Sequence, residues 1–263
     1  MNRFVNEVRS LKKISTLNLV KNLTDDFVPL FGDGHEGIDD ALISGLGLMN
    51  KKAVMITGIQ RGNNAAERTV THNGSLRPKG YRTCFRLFEQ AEQLNIPILT
   101  IIDTPGAYCD LNSEKSGQAQ AISKLIEKMS ILKVPIVSLI LGEGGSGGAL
   151  GLLVSDYRIA TSVSMLSTIS PEGYSEIMWK KVSPQNSDRA LNELHAIPEE
   201  LKKENVIDLI IEEPNLVKNE TIFHLGQTID GAFQKYLNLD KEELIKQRQD
   251  KFDLIGRKYI EYA

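Results

Sequence analysis

The stretch Leu141-Gly142-Glu143-Gly144-Gly145-Ser146-Gly147-Gly148-Ala149-Leu150 decides the reading of this chain, because five of its ten residues are glycine. It follows Val134-Pro135-Ile136-Val137-Ser138-Leu139-Ile140-Leu141. That run is solidly apolar and of strand length, which predicts a strand covered on both faces. The spacing predicts that this strand ends at Gly142 and that a helix follows Gly148, over Ala149–Val154. Glycine permits positive φ and lets backbone N–H groups approach a ligand closely. N–H groups converging where a strand meets a helix suit an anion, either a phosphate or an oxygen that gains charge during a reaction.

Three familiar motif readings of this block fall short in different ways. A Walker loop ends in Gly-Lys-Ser/Thr, whereas this one ends in Gly-Gly-Ala. A Gly-x-Gly-x-x-Gly pattern falls on Gly142, Gly144 and Gly147, but no acidic residue follows at the distance a ribose needs; Asp156 comes too early. A Gly-x-Ser-x-Gly pattern centres on Ser146 and would need a histidine partner, for which His195 and His224 are the downstream candidates. Tight strand–helix packing is the bland alternative, but it seldom asks for so many glycines.

Working outward, the same arrangement recurs upstream. Tyr81, Cys84, Phe88 and Ala91 share one face of a helix expected over Gly80–Asn95. Pro97 then opens Ile98-Leu99-Thr100-Ile101-Ile102, a buried strand that ends at Asp103-Thr104-Pro105-Gly106. A second helix is expected over Gly117–Lys133, with Ile122, Leu125, Ile126, Met129 and Leu132 inward. Lys52–Gly58, Arg158–Thr161 and Met165–Ile169 read as further strands. Phe4–Phe27 carries Val8, Leu11, Leu17, Val20 and Leu23 at roughly helical spacing. Strands alternating with helices predict an α/β fold with crossover connections. No linker divides the chain, so residues 1–263 are expected to form a single domain, mainly helical over 198–263.

Composition narrows the function. The 263 residues carry 31 Lys+Arg against 34 Asp+Glu, a net charge of −3 that gives no general drive onto nucleic acid or a membrane surface. Two cysteines, Cys84 and Cys109, are too few for a disulfide framework or a four-thiolate zinc site, and the four histidines lack metal-ligand spacing, so no metal is expected on this chain. The apolar runs are too short to span a membrane, and no signal peptide is visible; a cytoplasmic protein is expected.

Other residues have two readings. Asp103 is a catalytic acid or metal ligand, or, more commonly for an Asp at a strand end, an acceptor of backbone N–H groups. Tyr108 is a pocket wall or an ordinary half-buried aromatic. Ser170-Pro171-Glu172 is a helix start and can also border a pocket. Cys84 reads as core, and Cys109 as a loop thiol. Lys180, Lys181, Arg82 and Arg86 could meet the phosphates of a CoA, or simply face solvent.

Taken together, Ile-Asp-Thr-Pro-Gly-Ala-Tyr (102–108), Gly117-Gln118, the glycine block (142–150), Ile-Ser-Pro-Glu-Gly (169–173) and Trp179-Lys180 resemble the α subunit of the bacterial acetyl-CoA carboxylase carboxyltransferase, in sequence and in spacing. The similarity runs from about Leu17 into the 250s. It implies a crotonase/ClpP-like spiral of β-β-α units with a helical C-terminal region. It implies transfer of CO2 from carboxybiotin, on a separate biotin carboxyl carrier protein, to acetyl-CoA, giving malonyl-CoA for fatty acid biosynthesis. Biotin carboxylase and a homologous, zinc-binding β subunit in an α2β2 assembly are the implied partners. In the family, backbone amides in the second Gly-Gly of this block hold biotin, which puts that role on Gly147 and Gly148. Gly144, Gly145 and Ser146 then shape the biotin-binding pocket together with Gly106, Ala107 and Tyr108. A pair of preorganised N–H donors contributes about 3–4 kcal/mol per donor toward a developing oxyanion, and such chemistry asks for no histidine in these loops.

The chain departs from the family pattern in its loops. Tyr108 is followed by Cys109-Asp110, then by Ser113-Glu114-Lys115-Ser116; Pro78-Lys79-Gly80-Tyr81-Arg82 carries a base where the family has an acid; and Gly32-Asp33-Gly34 replaces Gly-Asp-Arg. Two alternatives therefore stand beside the transferase. One is an independent crotonase-type CoA-thioester hydratase or decarboxylase, which needs a pocket acid or base such as Glu143 or Asp103. The other is a regulatory or scaffold subunit without activity of its own.

Overall fold

The computed structural model describes residues 3–213 and 219–260. The helical expectation for 198–263 includes 214–218 and 261–263, which lie outside the described residues. The strands are β1 (Phe27–Pro29), β2 (Leu42–Met49), β3 (Lys52–Ile59), β4 (Ile98–Thr104), β5 (Ile136–Gly145), β6 (Tyr157–Thr161), β7 (Met165–Ser167) and β8 (Leu209–Ile211). The helices are α1 (Arg3–Val8), α2 (Thr16–Leu23), α3 (Ala65–Val70), α4 (Pro78–Leu94), α5 (Leu111–Lys115), α6 (Gln118–Ile131), α7 (Ser146–Leu150), α8 (Pro171–Trp179), α9 (Pro184–Glu193), α10 (Pro198–Lys203), α11 (Asn219–Leu237), α12 (Lys241–Asp253) and α13 (Arg257–Ile260).

One sheet runs in the order β1-β2-β3-β4-β5-β6-β8, antiparallel from β1 to β3 and parallel beyond. Strand β5 has β4 along one edge. Its other edge is shared: Val137–Ile140 pair with β6, and Glu143–Gly145 pair with β7. That edge of β5 thus changes partner before the glycines, within an α/β fold.

Alternation along the parallel strands explains the layers. Ile98, Ile102, Ile136 and Ile140 enter one core with Tyr81, Cys84, Leu87, Phe88 and Ala91 of α4 and Leu125 and Met129 of α6. Leu99, Ile101, Val137, Leu139 and Leu141 enter the opposite core with Leu19, Val20 and Leu23 of α2 and Leu225, Ile229 and Phe233 of α11. Each of these buried side chains contributes roughly 1.5–3 kcal/mol by leaving water.

The N-terminal stretch corrects the single-helix reading. It forms α1 and α2 instead, and Leu11 is half exposed between them. Ser15 ends the break as the N-cap of α2, its hydroxyl accepting from the Asn18 N–H. Strands β1 and β2 are not foreseen from the sequence. Strands β2 and β3 form a hairpin whose two-residue loop, Asn50-Lys51, has φ of 50° and 63°. Two positive φ values are what a type I′ turn demands.

Arg248 of α12 locks the C-terminal helices to the sheet. Its guanidinium pairs with both Asp156 carboxylate oxygens at 2.8 and 2.9 Å and donates to the carbonyls of Met129, Leu132 and Val134. It thus caps the C-terminus of α6 as well as pairing a buried carboxylate.

Candidate functional site

The glycine block is strand for longer than its composition suggests. β5 continues through Gly142 to Gly145, and α7 begins at Ser146 rather than after Gly148. Pairing decides this: Gly144 lies opposite Thr104 of β4 and opposite Leu166 of β7, so the ladders on both sides hold the glycines extended. Gly147 and Gly148 consequently sit in the first turn of a one-turn helix, where backbone N–H groups have no acceptor four residues back. With so short a helix, the two amides themselves, not a macrodipole, supply the positive potential.

Two chain segments touch here backbone to backbone. A Cβ built on Gly145 would stand 2.1 Å from the Pro105 carbonyl oxygen, and one on Gly148 would stand 2.5 Å from the Ala107 nitrogen. Only glycine fits either position. Gly106, at φ +143°, gives the turn that makes the approach possible. Thr104 Oγ1 accepts from the Gly106 N–H at 3.0 Å and fixes that turn. A Cβ on Gly147, by contrast, meets nothing within 4 Å. The turn therefore faces open space at Gly147 and is closed by the Pro105–Ala107 loop at Gly148. Below it, buried Tyr81 donates its hydroxyl to the Gly148 carbonyl at 3.3 Å. The Thr100 and Ser138 hydroxyls reach the Leu152 carbonyl and hold the chain that follows α7.

Ser146 carries φ +52° on the exposed side of the turn. With Gly147 it lines a cavity of about 310 Å³ whose other walls include Leu150, Leu166, Thr168 and Leu201. Gly106, Ala107 and Tyr108 are not among its lining residues; the first two stand against Gly148 from the other side. Tyr108 is half-buried, stacks on His72 at 4.3 Å between ring centroids and lies under the Arg77 guanidinium at 4.7 Å. Its N–H donates to the Leu76 carbonyl, which also receives Gln118 Nε2 at 2.8 Å. Gln118 thus joins the segment before α4 to the Gly106–Tyr108 loop. Gly144 lies over Leu166.

The acidic residues nearest the block are spent on structure. Glu143 is buried and accepts from Arg9 at 2.6 Å and from Arg61 at 2.7 Å. Arg9 continues to Glu172 at 3.0 Å, tying the N-terminal segment to α8. Asp103 accepts the Glu143 N–H at 3.0 Å and lies 3.7 Å from Arg61. Burial raises the Asp103 pKa, opposed by the charges of Arg61 and Lys13. Neither carboxylate is placed as a free acid or base, which removes the support for the independent hydratase reading. Among the described residues Ser146 has no histidine partner, and His195 faces Glu204 at 3.4 Å, so the hydrolase pattern is one of letters only. The network of Arg9, Arg61 and Glu143 gave no sequence signal, because its members are far apart in the chain.

Of the four basic candidates, Lys180 and Lys181 are exposed at the end of α8, and the two arginines are engaged. Arg82 pairs with Asp33 and Glu36, and Arg86 donates to the carbonyls of Phe31 and Gly32, so both brace the 31–37 loop rather than await phosphates. Cys84 is buried and Cys109 is exposed. Ser170 caps α8, its hydroxyl accepting from the Gly173 N–H at 3.0 Å. Among the described residues no group of three or more His, Cys, Asp or Glu is arranged to hold a metal ion, and no helix is long and apolar enough to cross a membrane.

Comparison with known proteins places this geometry. A transcarboxylase 12S crystal structure matches 88% of the chain at a TM-score of 0.71 with 16% sequence identity, and the chain spans 44% of that longer protein. The acetyl-coenzyme A carboxylase carboxyl transferase subunit alpha of Prochlorococcus marinus subsp. pastoris is 39% identical over 257 residues, covering 96% of this chain and 76% of that protein. A protein of Clostridium tetani named for subunits beta/alpha of the same carboxyl transferase is 36% identical over 94% of this chain and 44% of its own length. The family described as acetyl co-enzyme A carboxylase carboxyltransferase-like matches residues 3–256. With nearly its whole length covered and the glycine turn in place, the chain belongs to that carboxyltransferase family.

Proposed function

We propose that this chain is the α subunit of an acetyl-CoA carboxylase carboxyltransferase, which moves CO2 from carboxybiotin to acetyl-CoA and forms malonyl-CoA. The observation that carries the reading is the turn at Ser146–Gly148, open at Gly147 and closed at Gly148 by the Pro105–Ala107 backbone. A planar urea fits such a turn, because two adjacent amides offer donors in the space a Cβ on Gly147 would otherwise enter. Carboxybiotin supplies the CO2 and is left with negative charge on its ureido oxygen. The amides of Gly147 and Gly148 bind that oxygen, and their preorganisation spares the reorganisation water would require. The contact with Gly106 and Ala107 fixes the direction of the Gly148 amide. Leu150, Leu166 and Leu201 keep the cavity apolar, which strengthens the donors. With Glu143 and Asp103 engaged elsewhere, this chain contributes backbone donors rather than a proton acceptor, and the proton that leaves the acetyl methyl group passes to the ureido nitrogen freed by loss of CO2.

The chain acts with a partner. A β subunit, joined to α in one polypeptide in the Clostridium tetani relative by its name, is the expected companion. We assign to it the zinc site and the amide pair for the thioester, in an α2β2 assembly. Biotin reaches the site on a carrier protein charged by biotin carboxylase, and the complex works in the cytoplasm.

The test is co-expression with the β subunit and an assay of malonyl-CoA-dependent carboxylation of biocytin. Turnover only in the complex is the expected result. A stable complex that carboxylates neither biocytin nor acetyl-CoA would overturn the assignment.

A further inference from the structure

A second cavity, of about 260 Å³, lies between β6, α10 and α12 and is lined by Arg158, Lys202, Asn205, Ile207, Asp208, Lys251 and Leu254. Arg158 stands opposite Ser138 near the start of β5, whereas the glycine turn follows that strand's end.

Three cations and one carboxylate line the cavity. Asp208 is already shared: its Oδ1 accepts from Lys251 Nζ at 2.6 Å, and its Oδ2 accepts the Arg158 backbone N–H at 2.8 Å, while Lys251 Nζ also donates to the Asp156 carbonyl at 2.6 Å and the Tyr236 hydroxyl at 3.3 Å. Arg158 Nε stands 3.7 Å from that Oδ2, too far for a hydrogen bond. The Arg158 side chain is only 2% exposed, yet its Nε and Nη1 have no acceptor, and its Nη2 reaches only the Asn205 carbonyl at 3.5 Å. The Phe252 ring covers the guanidinium at 4.7 Å. Lys202 stands exposed at the rim. A buried cation this poorly paired is uncommon, because burial removes hydration that only a good counter-charge replaces. Burial lowers the Arg158 and Lys251 pKa values, and the charge of Arg158 adds to the effect on Lys251.

We propose that this cavity is a binding site for a small phosphate-bearing dianion, held by the unpaired N–H groups of Arg158 and by Lys202, with Lys251 adding its charge. The surplus of two positive charges favours a dianion over a carboxylate, and the planar guanidinium suits phosphate oxygens. Ile207 and Leu254 leave an apolar wall for a short organic group, so the phosphate can be inorganic or a monoester.

The experiment is titration of the full chain with inorganic phosphate, glycerol phosphate and acetate at fixed ionic strength, followed calorimetrically and by phosphorus NMR line width. Saturable binding of at least one phosphate probe is expected, with acetate weaker; tighter binding of glycerol phosphate identifies a monoester, and equal binding identifies phosphate itself. Lys202→Glu, on an exposed helix end, should weaken phosphate binding about tenfold while the melting temperature stays unchanged. Arg158→Gln should weaken it further. Absence of saturable phosphate binding, acetate binding as tight as phosphate, or affinity untouched in Lys202→Glu overturns the proposal.

Discussion

The backbones of Gly148 and Ala107 are in contact across the two strand-end loops, so that a Cβ on Gly148 would stand 2.5 Å from the Ala107 nitrogen and 2.6 Å from the Gly106 carbonyl carbon. Gly147, its neighbour, faces open space, where a Cβ would meet nothing within 4 Å. The two substitutions therefore separate packing from binding. Gly148→Ala must push the Gly106–Ala107 loop away, at a cost of about 1–3 kcal/mol for overpacking. Turnover of biocytin by the reconstituted complex should fall at least about 100-fold, the scale of one lost oxyanion donor. Gly147→Ala should leave the melting temperature equal or higher, since alanine is better than glycine in a helix by about 1 kcal/mol. It should nevertheless reduce biocytin turnover about tenfold or more by filling the space a ligand takes. Full activity in Gly147→Ala would show that nothing binds over that residue.

Glu143 offers the opposite combination. It lies inside the glycine block, but its two guanidinium partners make it structural. Glu143→Gln leaves Arg9 and the buried Arg61 without their shared carboxylate, a loss of about 3–5 kcal/mol for breaking a buried pair. Urea denaturation should show that loss, with little relief from added salt because the pair is shielded from solvent. Were stability unchanged while turnover collapsed, Glu143 would be a catalytic group after all.

How far the sequence reaches can be judged from particular elements. Helices α4 and α6 were legible because each buries one face against the sheet, so Tyr81, Cys84, Phe88 and Ala91 keep a helical period that tertiary packing did not alter. Strands β4 and β5 were legible as solid apolar runs. β2 was hidden by Gly45 and Gly47, which are present because the Val28 carbonyl and the Thr24 side chain pass where a Cβ would stand. Its hairpin was hidden because Asn50-Lys51 lacks the usual glycine. The length of β5 is not legible for a related reason: pairing with β4 and β7, not propensity, keeps Gly142–Gly145 extended. The motif found the glycines of the turn, but the cavity walls at Leu166 and Leu201 come from distant segments with no pattern of their own.

The loop at Gly32–Gly37 carries a pH dependence. Burial would raise the Asp33 pKa, but its carboxylate accepts the N–H groups of His35, Glu36 and Gly37 at 2.8–2.9 Å and Arg82 Nε at 2.8 Å, and these hold the group well below the usual carboxylate range. A depressed folded-state pKa gives stability that is complete above the unfolded value of about 3.9 and is lost as pH falls toward the folded one. Asp33→Asn should therefore be less stable than the parent near neutrality, and the gap should close below about pH 4. A gap that stayed constant from neutral to acid pH would mean that the ionised carboxylate contributes nothing.

Arg248 and Asp156 form a buried bidentate pair, but their losses should not be equal. Asp156→Asn leaves Arg248 its acceptors at Met129, Leu132 and Val134, and retains an oxygen for the Ile136 N–H. Arg248→Met strips all three carbonyls at the end of α6 of their donor and leaves a buried carboxylate unpaired. Each broken buried pair costs about 3–5 kcal/mol, and each orphaned carbonyl adds about 1–3 kcal/mol. Arg248→Met should thus be the more destabilising substitution in urea. Asp156→Asn combined with Arg248→Met should recover only part of the deficit, because it relieves the lone charge and keeps an acceptor for the Ile136 N–H but leaves the carbonyls without their donor. Full recovery in the double variant would reduce Arg248 to a counter-ion; partial recovery establishes it as the cap that holds α12, α6 and the start of β5 together.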